Sequence, residues 1–562
     1  MRLILWCWAL SLGAGFCAAP PVVPALPVPV ALPMREAEEA WVELATLGGT
    51  GVLAQLEMMS PRGQWEWVPN PQGESGDTVA RLRLPVVPFG WTSYRVQWLP
   101  EREGEVVITL TAPRERSTNG MVLRQDVVFD DFRVTGVLLT NASFEQYVGN
   151  RPVGWEGGGV VNAGPLPPHH EANYARVWCE RPLRQRVLVR SNVPVTLQWA
   201  VRAMPVLGPE AMKPLMERNT LAHQAAAFYK RGVNVSHFLE LPPKDARRDE
   251  CTVEDFAQMK REGFDHVRLP VAWHYYAGPA PNYALDAQFL KRVDLVASNA
   301  LNQGLFVILA MTAPEALHAR PQAYSNQWVA LWRQLAQHYA EAHPGLALEL
   351  LNEPRDAATT SLLNGWYAEA LKYIRAQNPM RTVFLGPGEG NRPEALSQLR
   401  LPLEEENVIV TVHCWEPRYF TRQSDSSEGD AVGQLKGVVY PGPPSSPLPV
   451  PAEAGPALRQ WLETYHRRPA AWNPSGHAVV EGQLQLARDW SEFYGRPVHV
   501  GAFGVTTAAD SLSRARYMRE ARQLAAAYGL GWAMWAWRGG YNYWDAASGW
   551  PMTGMREALF GR

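Results

Sequence analysis

Four short stretches carry the residues of this chain best suited to chemistry: Val267-Arg268-Leu269-Pro270, Leu351-Asn352-Glu353-Pro354, Val412-His413-Cys414-Trp415-Glu416 and Trp532-Ala533-Met534-Trp535-Ala536-Trp537. A carboxyl group can give or take a proton, a guanidinium can hold an anion, an imidazole can do either near neutral pH, and an indole offers a flat face. Tryptophan is unusually frequent, with 23 against 19 Tyr and 16 Phe. That excess fits core filling, or a supply of rings for stacking on sugars.

Each stretch sits at the end of an apolar run, and beyond Gly232 such runs alternate with amphipathic stretches. Strands are expected at Gly232 to Val235, His266 to Pro270, Leu305 to Leu309, Leu346 to Leu351, Thr382 to Leu385, Val408 to His413, Pro497 to Gly501 and Gly531 to Trp535. Helices are expected at Val253 to Glu262, Asp286 to Gln303, Gln327 to Glu341, Leu362 to Gln377, Val479 to Phe493 and Ser511 to Tyr528. Units of this kind over about 330 residues predict a (β/α)8 TIM barrel, whose chemistry sits at the carboxyl ends of the strands. A long Pro-, Gly- and Ser-rich interruption from Arg422 to about Pro474 follows strand six, and is expected to shape a cleft rather than link domains.

Taken in order, Asn234 on strand one, Arg268 on strand two, Asn352-Glu353-Pro354 on strand four, His413 and Trp415 on strand six, and Trp535 and Trp537 on strand eight resemble family 5 glycoside hydrolases, a cellulase-like family of the retaining-barrel clan. The resemblance covers Arg231 to the C-terminus. It implies that Glu353 is the general acid/base, protonating a sugar leaving group and then activating water. Asn352 would hold a substrate hydroxyl, Arg268 and His413 would line the floor, and Trp415, Trp535 and Trp537 would be sugar-binding aromatics. The chain departs from the family at strand seven, where a Gly-Glu-Phe-Gly setting reads Gly501-Ala502-Phe503-Gly504. Ala502 would be a vacant nucleophile position. Strand three ends in Ala310-Met311-Thr312 instead of a histidine pair, and Trp415 replaces a tyrosine that would bond the nucleophile.

These departures suggest a polysaccharide-binding protein with a hydrolase-like barrel and lost or altered catalysis. The competing reading is an active glycosidase, with Glu353 as acid/base and Glu416 or Glu389 as an unusual base. An inverting route of that kind needs carboxyl groups about 6.5 to 9.5 Å apart. With its nucleophile partner gone, Arg268 is expected to leave room for an anion beside Ala502, because a buried guanidinium without a counter-charge is costly.

The remaining 562-residue context bounds the other function classes. Lys and Arg total 53 against 55 Asp and Glu, for a net charge of −2. No nucleic-acid partner is therefore expected. Residues 1–19 have the basic, apolar and small-residue layout of a signal peptide, so a secreted or periplasmic location is expected. Phe16 in front of Cys17 argues against lipid attachment, and no later stretch is apolar enough for a membrane span. Residues 20–33 read as a proline-rich linker. Residues 34–136 and 137–205, made of short β-prone runs broken by turns, read as jelly-roll-like β-sandwich material in two segments, with Trp65, Trp67, Trp155 and Trp178 as candidate sugar contacts. Residues 206–562 form the barrel domain. Outside the signal only Cys179, Cys251 and Cys414 remain, without metal-binding spacing, and no metal or cofactor is expected.

Overall fold

Strand Glu39–Thr46 alternates strictly, with Ala40, Val42 and Leu44 buried and Glu39, Trp41 and Glu43 on the other face. Period-two alternation of this kind suits a sheet with one face on a core. On the outer face Arg81 forks onto the Glu43 carboxylate and lies over the Trp41 ring at 4.0 Å. The computed structural model describes residues 34–561 except 47–48, 71–77, 162–165, 207–211, 213 and 248. The signal peptide, Cys17 and the proline-rich linker lie outside the described residues.

Two antiparallel six-stranded sheets face each other over one apolar core. The expected division near Gly136 is not where the pairing divides. Val127–Thr135 pairs with Val195–Ala203, and Gly104–Thr111 pairs with Leu183–Val189. Strands from both sides of that point therefore interleave in both sheets, and residues 34–203 build a single sandwich. Trp155 and Trp178 are buried in it, at 7% and 8% exposure, while Trp67 is 40% exposed. The first two are packing residues, the commoner fate of a tryptophan in a sandwich.

Eight parallel strands then close into a barrel in sequence order: Arg231–Asn234, His266–Val271, Phe306–Met311, Leu346–Glu349, Val383–Leu385, Val408–His413, Val498–Phe503 and Gly531–Met534. The helices between them begin at identifiable caps. Thr252 and Asp255 form a reciprocal capping box at Val253–Glu262, and Asp286 and Asp510 cap Ala287–Asn302 and Ser511–Ala527. Ile308, Ala347, Phe384 and Ile409 make a small apolar cluster with Tyr229 and Ala222. The other strand faces, such as Val408, Val410 and Val412, pack in the larger shell shared with the helices.

The 422–474 interruption folds into short helices, the longest being Pro456–Arg467. It does more than shape a cleft, because it also docks the barrel on the sandwich. Arg468 and Arg467 pair with Glu57, Arg468 donates to the Met58 carbonyl, and Arg95 lies over Trp472. A second contact places Val87 and Phe89 of the sandwich in the barrel's apolar shell.

Candidate functional site

Alternation along the barrel strands decides which side chains share the barrel interior. On strand two His266 and Arg268 flank Val267, and it is Val267 that joins the outer shell. Arg268 is fully buried, and its guanidinium forks onto Glu349 of strand four at 2.7 and 2.6 Å. Its remaining donors reach Asn234 of strand one at 2.9 Å and Asn352 at 2.7 Å. Asn234 in turn donates to the carbonyls of Gly501, Ala533 and Met534, tying strand one to strands seven and eight. The expectation of an anion compensating an orphaned Arg268 is therefore corrected. The charge is already balanced by a bidentate carboxylate, the geometry in which a buried ion pair is best satisfied.

Glu353 follows strand four with a left-handed φ of +44°. Its backbone N–H donates to the Asn391 side chain at 2.6 Å. One carboxylate oxygen accepts from His413 Nδ1 at 2.7 Å and from Trp415 Nε1 at 3.0 Å. The side chain is 27% exposed, so it faces the opening while being held from below. Burial by itself would raise this carboxyl. The hydrogen bonds from His413 and Trp415, with the positive potential of His413 and Arg422, outweigh it and hold the group well below the usual carboxylate range.

Strand seven brings Ala502 beside His413. The ladder between strands six and seven slips by one residue, so that Val412 pairs with Val500 but His413 with Ala502. Val500 and Phe503 belong to the outer shell and Ala502 does not. The slip thus turns the methyl of Ala502 toward the interior that holds His413. The Cys414 N–H donates to the Ala502 carbonyl at 2.9 Å, which fixes the two strand ends together. Gly501 is required in the slip. A Cβ there would lie 2.3 Å from Thr411 Oγ1 and 3.1 Å from His413 Nε2.

At the rim, Arg422 lies over the Trp415 ring at 4.0 Å and pairs with Glu428 at 2.5 Å. Tyr541 meets Trp415 edge-on with centroids 5.9 Å apart and donates its hydroxyl to Asp425 at 2.6 Å. Trp535 is partly exposed, and its backbone N–H donates to the Phe503 carbonyl at 2.8 Å. Trp537 is different, with 2% exposure, an indole N–H bonded to Asp255 and a ring stacked on Trp544 at 5.2 Å. It is core, a correction to its reading as a substrate-binding residue.

The structure therefore joins Glu353 to His413 and Trp415 by hydrogen bonds, pairs Ala502 with His413, and holds Asn352, the neighbour of Glu353, on Arg268. Glu416 turns to Arg392, at 2.8 Å, and to the Arg418 N–H, while Glu389 sits exposed with a left-handed φ. Glu349, Asn391, Asp425 and Tyr541 escape sequence reasoning. Glu349 carries a signal, since a carboxylate in the apolar run Leu346-Ala347-Leu348-Glu349 must be paired if that run is a buried strand. Among the described residues there is no cluster able to hold a metal ion, and no helix long and apolar enough to cross a membrane.

Comparison with known proteins adds a lineage to this geometry. Endoglucanase H of Acetivibrio thermocellus is 27% identical over 192 residues, 34% of this chain and 21% of that protein. Endoglucanase 3 of Fibrobacter succinogenes is 24% identical over 365 residues, 61% of this chain. The chain spans about a fifth of the first relative (21%) and about half of the second (54%). Among solved structures, Thermotoga maritima Cel5A with cellobiose superposes with a TM-score of 0.53 at 27% identity, over 61% of this chain and all of that one. The same protein with mannotriose gives 0.53 at 26% identity over the same shares. The family model described as cellulase, glycosyl hydrolase family 5, matches residues 230–540, which include every barrel strand, Glu353 and the strand-seven slip at Ala502, and on that match the chain belongs to glycosyl hydrolase family 5.

Proposed function

We propose that the barrel opening binds a neutral β-glucan or β-mannan chain without hydrolysing it by the family's retaining route, Ala502 standing where the nucleophile would be. One observation carries the reading: Glu353 accepts hydrogen bonds from His413 and Trp415, and the residue paired with His413 on strand seven is an alanine, which has no group able to attack. A retaining reaction needs two carboxyl groups about 5 to 5.5 Å apart, one ionised to attack and one protonated to give up its proton. The negative charge of the first is part of what keeps the second protonated. Replacing a nucleophile by alanine therefore removes the attacking group and also lowers the proton affinity of the acid. The low position of the Glu353 carboxyl agrees with the second loss.

Support for the ligand class comes from the relatives, whose names and bound sugars are endoglucanase, cellobiose and mannotriose. It also comes from Trp415 and Trp535, two partly exposed indoles, and from Asn352, a partly exposed amide held in place by the buried Arg268. The alternative base Glu416 is engaged by Arg392 and the Arg418 N–H, which favours the binding reading over an inverting glycosidase. The layout of residues 1–19 supports an exported protein.

The test is to measure binding and cleavage of cello- and manno-oligosaccharides by the native chain, Glu353→Ala and Ala502→Glu. The expected result is native binding without cleavage, with cleavage appearing in Ala502→Glu. Native cleavage abolished by Glu353→Ala would overturn the reading.

A further inference from the structure

A groove of about 1310 Å³ runs between the sandwich and the barrel. Trp65 and Arg62 stand on its sandwich wall, Trp461 and Gln460 on its barrel wall, and Arg392 and Glu416 where it meets the end of strand six. Glu57, which pairs with Arg467 and Arg468, lines it together with those two residues. Glu416, which lines the groove, is the residue after Trp415, whose indole bonds Glu353.

We infer that this groove is a second glycan-binding site, in which a neutral β-linked hexose chain leaving the barrel opening continues between the two domains. The inference rests on the barrel opening binding such a chain. Three features of the groove select this ligand class. Its volume exceeds the roughly 300 to 1,000 Å³ of sites for single small molecules, as an extended oligomer requires. Its charged lining consists of four glutamates and four arginines, a balance that offers hydroxyl groups donors and acceptors while giving no net attraction to an anionic polymer. Each wall also presents an indole braced by another ring. Trp65 meets Trp67 edge-on at 5.7 Å, and Trp461 is backed by Tyr465 at 4.7 Å with nearly parallel planes. Both indoles are only partly buried. Rings fixed in this way lose little freedom when a sugar face stacks on them.

The architecture explains why the site exists only in the assembled chain. The barrel wall belongs to Pro456–Arg467, inside the interruption after strand six, and the sandwich wall belongs to the edge strand Gln64–Pro69 and the turn before it. The ion pairs to Glu57 hold the two walls at a fixed spacing, so the interruption both orients the sandwich and creates the groove.

The experiment compares trisaccharides and hexasaccharides of the cello and manno series binding to the full chain, by calorimetry, in native protein and in the Trp65→Ala, Gln460→Ala and Trp535→Ala variants. Gln460 is exposed, so its replacement leaves folding intact, and a thermal melt checks Trp65→Ala. Hexasaccharides are expected to bind natively more tightly than trisaccharides, and Trp65→Ala to weaken hexasaccharide binding at least about tenfold, the usual scale for an aromatic anchor. Gln460→Ala should weaken it in the same direction, with trisaccharide binding unchanged in both. The series that shows this length dependence identifies the sugar. Equal native affinity for both lengths, or equal loss for both in Trp65→Ala, overturns the groove. Trp535→Ala should weaken both lengths. If it changes neither while Trp65→Ala still weakens the hexasaccharide, the barrel-opening reading fails and the groove stands. A hexagalacturonate that binds through Trp65 more tightly than either neutral hexasaccharide overturns the assignment of a neutral ligand.

Discussion

His413 Nδ1 lies 2.7 Å from the Glu353 carboxylate, joining the end of strand six to the end of strand four across the barrel opening. A carboxylate held in this way is an acceptor, suited to binding a sugar hydroxyl. Its lowered proton affinity leaves it poorly suited to carrying a proton that it could deliver. The state of Glu353 is therefore the measurable quantity on which the function turns.

His413→Asn is expected to raise the Glu353 carboxyl, since it removes both the leading hydrogen bond and the accompanying charge. The linked effect on stability has a definite sign. The folded value lies below the unfolded value of about 4.3, so the stabilisation is present above that value and lost as pH falls beneath it. Native protein should lose at least about 1 kcal/mol more than Glu353→Gln between pH 6 and pH 3, the scale of a hydrogen bond to a charged group. Denaturant melts across that range measure the difference, and parallel curves would contradict it.

Arg268 and Glu349 are both fully buried and bonded twice to each other. Arg268→Met or Glu349→Leu alone should cost about 3 to 5 kcal/mol, because each leaves a buried charge without its partner. The double variant should cost less than the two single losses added together, which a double-mutant cycle reads directly. Chloride or formate should leave the native melting temperature unchanged, since the guanidinium needs no external anion.

Much of this arrangement is legible in the sequence where it is local. Strand Val408–His413 and helix Val253–Glu262 are readable to the residue, the first from an apolar run and the second from its amphipathic spacing, which the structure bounds with the Thr252 cap and Gly263. The Arg268 and Glu349 pair is not readable, because its members are 81 positions apart and nothing in either neighbourhood names the other. The same limit hides the interleaving of the sandwich, whose strands pair across the Gly136 turn. Trp537 and Trp535 look alike in sequence, and only the stacking of Trp544 on one of them separates core from surface.

That separation is testable. Trp535→Ala should weaken oligosaccharide binding at least about tenfold while costing less stability than Trp537→Ala, as expected of a partly exposed anchor. Trp537→Ala should instead cost about 3 to 5 kcal/mol, the usual range for removing a buried tryptophan. Calorimetric binding together with denaturant melts on both variants distinguishes them, and the reverse pattern would exchange their roles.

Gly501 offers the sharpest link between backbone and site chemistry. The strand-seven slip places its α-carbon so close to strand six that an added methyl group would meet Thr411 Oγ1 at 2.3 Å and His413 Nε2 at 3.1 Å. Both atoms belong to side chains fully enclosed in the barrel, so neither can swing away cheaply. Gly501→Ala should therefore destabilise the fold by about 1 to 3 kcal/mol through overpacking. It should also push His413 off Glu353, since the ring is the softer of the two obstacles. The expected signature is a lower melting temperature together with a Glu353 carboxyl that titrates nearer its ordinary value, followed by NMR of the carboxyl carbon. A variant that melts lower with Glu353 unmoved would mean that the neighbouring backbone yields before the imidazole does, and that His413 is held more firmly than its single hydrogen bond suggests.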